Sequence, residues 1–210
     1  MPITSTAHSQ MYKSLLSFSF IVLLFCSCSS QDSTQKNELV IPDFNWKLKV
    51  PGFLVAENKA EWKKSQDRGK KGIEDTYNVQ LQNKVTTLFI FKSADESYLE
   101  ATSERLNPAM TADYAATCER MNNIFYTSIT TQAPDVKMDT VKTVEIIDNI
   151  RFYTLASRIL LPGGRTKNSV MFRSLFKDTE LTVSVMFSNE QTGQKIIDAF
   201  KKSSFHFTKQ

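Results

Sequence analysis

Residues 141–187 hold four runs in which apolar and polar side chains alternate, and the links between them are short. The runs 141–147, 150–161, 169–177 and 181–187 are joined by Asp148-Asn149, by 162–168 with its Gly163-Gly164 pair, and by Asp178-Thr179-Glu180. Alternation marks half-buried strands, and a two-residue link of this type closes a tight hairpin. Parallel neighbours need a crossover of about a dozen residues or more, so these strands pair antiparallel in chain order, as a β-meander. Leu181, Val183, Val185 and Phe187 line one side of the last strand, yet Met186 lies on the other. In the strand before it, Val170, Phe172 and Phe176 oppose Met171 and Leu175. A sheet that is apolar on both faces needs cover on both. The expected fold class is therefore α+β: an antiparallel β-meander sheet covered by helices on each face, a three-layer α/β/α sandwich.

The flanking sequence predicts that cover. Residues 44–50 alternate without a break and read as a strand that Pro51-Gly52 turns, with 53–56 resuming extended structure. The charged stretch 59–71 predicts a short helix broken at Gly69 and Gly72, after which Tyr77, Val79 and Leu81 alternate. Residues 85–92 form a second firm strand. Asp95 is positioned to cap a helix running to about Leu106, where Asn107-Pro108 ends it. From Thr111 a longer helix aligns Tyr114, Cys118, Met121 and Phe125 on one face and stops before Ala133-Pro134. Ser188 and Gln191 suggest a capping box for a last helix that turns Ile196, Ile197 and Phe200 inward. Residues 204–208 end the chain as a short extended piece.

The amino-terminal segment addresses the chain. Lys13, the apolar run 15–25 and Cys26-Ser27-Cys28-Ser29-Ser30 make a basic start, a short hydrophobic stretch and small residues at its end, the pattern of a secretory leader. The run is shorter than the roughly 20 apolar residues a membrane-crossing helix needs. It resembles a bacterial lipoprotein signal, which implies cleavage after Ser27 and acylation of Cys28. Met11 is a plausible start of such a leader. The expected organisation is a signal peptide over 1–27, a lipidated tether over 28–39 and one domain over 40–210. The same resemblance implies a lipid-anchored protein of the bacterial cell envelope. Ser29 after the cysteine points to the outer membrane, with the domain facing the periplasm.

Composition prunes the chemistry. A formal net charge of +4 over 210 residues is too mild for a dedicated nucleic-acid protein. Cys118 is the one cysteine beyond the leader and tether, so no disulfide is expected within the domain. Of 2 histidines, His8 precedes the leader's hydrophobic run and His206 lies near the carboxyl end, which leaves neither a zinc-ligand set nor a histidine triad. No cofactor or metal site and no catalytic residue is predicted. Cys118 sits on an apolar stripe and reads as an inert core thiol. His206, between Phe205 and Phe207, points away from them toward solvent. Glu100 and Glu104 read as the surface of a helix beside Arg105, and Gly163-Gly164 as a hairpin tip. The most basic stretch holds Lys59, Lys63, Lys64, Arg68, Lys70 and Lys71 around Trp62, diluted by Glu61 and Asp67. Trp62, Lys63, Lys64, Lys70 and Lys71 are the candidate contact with an acidic envelope protein or an anionic envelope component.

The element order extends to a resemblance. An early strand running into Pro51-Gly52-Phe53, a central helix, a meander, and a terminal helix closing Ile197-Asp198-Ala199-Phe200 before Ser203-Ser204-Phe205 resemble the PsbP-like α/β/α sandwich, and within it the DcrB-like bacterial lipoproteins. That resemblance implies an accessory or binding protein of membrane-associated complexes, and it transfers no functional residue. The expected function is a non-enzymatic binding or assembly module of the cell envelope, tethered through Cys28. The alternatives are a hydrolase whose site assembles only in three dimensions, and a carrier of a hydrophobic or anionic ligand.

Overall fold

A computed structural model of the chain describes residues 37–78, 80 and 84–206. The signal peptide, Cys28 and most of the expected tether lie outside the described residues, as do Val79, Leu81 and Phe207. The described residues belong to one compact unit, Lys36–Gln210.

The meander is present. Strands β6 (Lys137–Ile147), β7 (Ile150–Leu160), β8 (Thr166–Phe176) and β9 (Thr179–Phe187) pair antiparallel in succession. Asp148 and Asn149 both adopt left-handed backbone, φ 46 and 64, the geometry that closes a two-residue hairpin without splaying its strands. The sheet continues past β9 through β5 (Tyr98–Arg105) and β4 (Thr86–Lys92) to the short edge strand β3 (Val55–Ala56), in the order β3-β4-β5-β9-β8-β7-β6. A smaller sheet orders β1 (Glu38–Ile41), β2 (Trp46–Lys49) and β10 (Ser204–Phe205). Among the described helices are α1 (Lys59–Tyr77), α2 (Pro108–Ala112), α3 (Tyr114–Gln132) and α4 (Glu190–Lys201).

Register assigns the two faces of the large sheet. Leu99 lies opposite Val185, Ala101 opposite Val183, Val183 opposite Phe172, and Phe172 opposite Thr154. This face packs on α4 and the small sheet. Phe200 of α4 meets Phe172 at 4.8 Å, Phe152 at 5.4 Å and Trp46 at 5.9 Å between ring centroids, and Trp46 stacks on Phe205 at 5.5 Å. Trp46, Phe152, Phe172 and Phe200 are fully buried, and the indole N–H of Trp46 donates to Ser203 Oγ at 2.9 Å. The opposite face carries Tyr98, Glu100, Glu104, Glu180, Arg173 and Tyr153, covered by α1 and α3. Helices and sheet thus form the three-layer α/β/α arrangement.

Several local expectations differ from the structure. The stretch from Asp95 to Leu106 is not a helix; its main part is β5, a central strand. Glu100 and Glu104 are four residues apart, which places them on one face in a helix and equally in a strand. Leu99 and Ala101, both fully buried on the other face, decide for the strand. Asp95 instead organises the β4–β5 turn, accepting from Ser93, Ser97 and Thr192. Helix α1 runs through Gly69 and Gly72 to Tyr77, and the Gln132 side chain of α3 lies over Gly72, where a Cβ would come within 2.4 Å of it. Phe44 ends a 3-10 turn, and left-handed Asn45 separates it from β2. Helix α4 is capped by Asn189, which accepts from Thr192 N at 3.1 Å, and not by Ser188.

Candidate functional site

The helix face of the large sheet combines buried apolar side chains, Ile90, Leu155 and Ile159 among them, with a seam of polar contacts. Alternation in β5 projects Tyr98, Glu100, Thr102 and Glu104 toward the helices. Asn58 caps α1, accepting from Ala60 N at 2.8 Å. The first turns of α1 then dock on Glu100: Trp62 Nε1 and Gln66 Nε2 each donate to Glu100 Oε1 at 2.7 Å, and Trp62 packs edge-on to Tyr98 at 4.8 Å. Gln66 also reaches Thr87 Oγ1 at 3.1 Å. Burial raises the Glu100 carboxyl above its ordinary range, and the two donors oppose that rise.

Helix α3 docks the same way. Tyr114 Oη donates to Glu180 Oε2 at 2.8 Å and Thr182 Oγ1 to Glu180 Oε1 at 3.2 Å. Arg173, 5% exposed, donates from Nη1 to Asn122 Oδ1 at 2.6 Å, while its Nε has no partner among the described residues. Cys118 is buried, and its thiol is pushed up to about 11, chiefly by burial. Burial first and the Glu180 charge second raise the Tyr114 phenol as well. The same two causes, in the same order, raise Glu104 against the pull of Lys84. Beside this seam a cavity of about 520 Å³ opens between α3 and strands β6 and β7, lined by Asp113, Cys118, Glu119, Asn122, Lys142 and Tyr153 among others. The Lys142 ammonium pairs with Glu119 at 2.5 Å across its mouth.

The residues singled out in the sequence fall in different places. Trp62 turns inward onto Glu100 and Tyr98, whereas Lys63, Lys64 and Lys71 project from α1 into solvent. Lys70 is half-buried and pairs with Glu74 at 3.6 Å. The α1 lysines and the α3 cavity therefore belong to separate surfaces. His206 is exposed beside buried Phe205, and Gly163 and Gly164 form the β7–β8 turn with φ 83 and 79. Among the described residues no group of three or more His, Cys, Asp or Glu side chains is placed to hold a metal ion. The polar seam through Glu100, Glu180, Arg173 and Asn122 was not anticipated. The signal for its β5 part was the period of two in Tyr98-Leu99-Glu100-Ala101-Thr102.

The sequence matches no family profile and no curated protein. Among solved structures it is similar to the solution structure of cyanobacterial PsbP (CyanoP) from Synechocystis sp. PCC 6803. The TM-score is 0.53 at 10% identity, and the match covers 80% of this chain and 91% of that one. The chain has a PsbP-like fold. At this identity the likeness is one of architecture, and it carries no site residue across.

Proposed function

We propose that the protein is a non-enzymatic binding or assembly module of the bacterial cell envelope, tethered through lipid on Cys28 and engaging its partner through the outer face of α1. The observation that carries this reading is the way α1 is mounted. Trp62 and Gln66 hold it to Glu100 by two charge-assisted bonds, and Lys63, Lys64 and Lys71 are left facing solvent along its other side. A cationic helix fixed in orientation fits an acidic protein face or an anionic envelope component. The hydrolase alternative has less support. At the α3 cavity burial pushes the Cys118 thiol up to about 11, so it lies far from the activated thiolate a nucleophile needs. Glu100 is raised in the manner of a general acid, but it is spanned by Trp62 and Gln66 under α1 and does not line that cavity.

The test is crosslinking in living cells from a photoreactive residue placed at Lys64. A discrete adduct is expected, and changing Lys63, Lys64, Lys70 and Lys71 to Glu should abolish capture of the protein identified in it. The change at Lys70 also sets a second acid beside Glu74, so thermal stability is measured in parallel and should fall only slightly. Added salt should weaken the wild-type interaction. Undiminished capture by the four-Glu variant would remove α1 as the contact, and turnover of a substrate by the purified protein would remove the binding-only reading. Intact-mass analysis of membrane-extracted protein checks the anchor, with an acylated Cys28 as the expected first residue.

A further inference from the structure

Strand β6 ends the large sheet, and among the described residues it pairs only with β7. It is an 11-residue strand with Val141 61%, Val144 55% and Ile146 63% exposed. Natural sheets usually blunt such an edge with charge, a bulge or cover. Here the pairing with β7 is unbroken from Lys137 to Ile147, and the charges along the strand alternate in sign. We propose that β6 pairs antiparallel with β6 of a second copy of this chain about a twofold axis at Val141, joining the two large sheets edge to edge.

The hairpin sets which backbone groups are available. Ile147 and Ile150 flank the two-residue Asp148-Asn149 turn and form a hydrogen-bonded pair, so the odd-numbered residues of β6 bond inward to β7. The N–H and C=O groups of Met138, Thr140, Lys142 and Val144 therefore point outward. A twofold axis at Val141 lays Met138 opposite Val144 of the second copy and Thr140 opposite Lys142, so these outward groups meet each other. Val141 then faces its own symmetry mate as a non-hydrogen-bonded pair, the closer kind, and covers the exposed apolar surface of each. Lys137 lies opposite Glu145 of the second copy, and symmetry makes that contact twice. Glu145 already receives Lys201 at 2.6 Å, which holds its carboxylate on this side of the strand. Asp139 comes opposite Thr143, so no like charges are matched. Moving the axis one residue to Lys142 would set Lys142 against itself and Asp139 against Glu145, like charges at each place. The Val141 axis thus sets opposite charges across the seam, which the Lys142 axis does not, while overlapping most of the strand.

Sedimentation velocity of the full-length protein in mild detergent tests the pairing. The wild type should show a sedimentation coefficient that rises with concentration from monomer to dimer. Lys137→Glu and Glu145→Lys should each sediment as monomer when alone, because each sets like charges together twice. An equimolar mixture of the two variants restores both opposite-charge contacts and should regain the dimer. Thermal melts accompany each variant, since Glu145→Lys also loses the pair with Lys201. A second measurement uses Val141→Cys with Cys26 and Cys28 changed to Ser; mild oxidation should give a disulfide-linked dimer, and Cys at exposed Val55 on the opposite edge should not. A wild type that stays monomeric at every concentration overturns the proposal. So does a wild-type dimer that both charge variants leave intact, or variants that stay apart when mixed.

Discussion

The two faces of the large sheet are held by different forces. On one, Phe152, Phe172, Leu181, Val183 and Val185 press against Trp46, Ile196 and Phe200, and each of these side chains is at or near complete burial. On the other, Ile90, Leu155 and Ile159 are buried beside polar contacts that tie α1 and α3 to Glu100, Glu180 and Arg173. Apolar burial, worth about 25 cal/mol per Å², is non-directional. A buried polar contact has a modest net value when complete, and a large cost when one partner is removed. The apolar face therefore sets global stability. The polar face sets orientation and local opening of the helices, which is the property a docking element requires.

The largest effect that would test this contrast is Phe200→Ala. It removes the ring that touches Trp46, Phe152 and Phe172, and should cost about 3–5 kcal/mol in urea unfolding. A loss as small as that of a surface change would mean the apolar face is not the main source of stability.

On the polar face the outcome should depend on which partner is removed. Asn122→Ala strips the buried Arg173 guanidinium of its hydrogen-bond acceptor and should cost about 2–3 kcal/mol. Arg173→Met, which removes the charge and keeps much of the volume, should cost less than that or be neutral. Equal losses for the two would mean that the Arg173–Asn122 pair is itself net stabilising, and that the cost does not come from leaving Arg173 unpaired.

A smaller and more local change is expected from Trp62→Phe. The ring against Tyr98 is kept, the N–H to Glu100 is lost, and the cost should be about 1–2 kcal/mol. Hydrogen exchange should speed up in α1 far more than in β9; uniform acceleration would mean that α1 unfolds only with the whole domain.

The smallest effects concern pH, and two carboxylates should act with opposite sign. Burial raises Glu100 above 4.5, so its contribution to stability is lost as pH rises through the folded value. Bonds from Ser93 and then Thr192 lower Asp95, so its contribution is present above 3.8 and lost as pH falls. Relative to wild type, Glu100→Gln should grow more stable toward neutral pH, whereas Asp95→Asn should be less stable there and converge in acid. Urea titrations of the three proteins over this range read the sign directly. A parallel shift of both variants would contradict the assignment.

The sequence by itself determined the meander, its turn at Asp148-Asn149, the two-faced apolar pattern that demands cover, and the inward side of α4. In those segments local propensity, alternation and turn chemistry all point to one answer. Strand β5 was not legible, because Glu100 and Glu104 fit the face of a helix as well as that of a strand, and only pairing with β4 and β9 distinguishes them. Helix α1 was cut short for a related reason. Gly69 and Gly72 weaken a helix in isolation, but docking on Glu100 and the close approach to Gln132 depend on residues far away in the chain. The polar seam was hidden by the same logic, since Tyr114 meets Glu180 and Arg173 meets Asn122 across 66 and 51 positions. Periodicity reports which side of an element is buried. Which polar group it meets there is decided by tertiary packing, because a hydrogen bond needs a particular partner at a particular distance and apolar burial needs only cover.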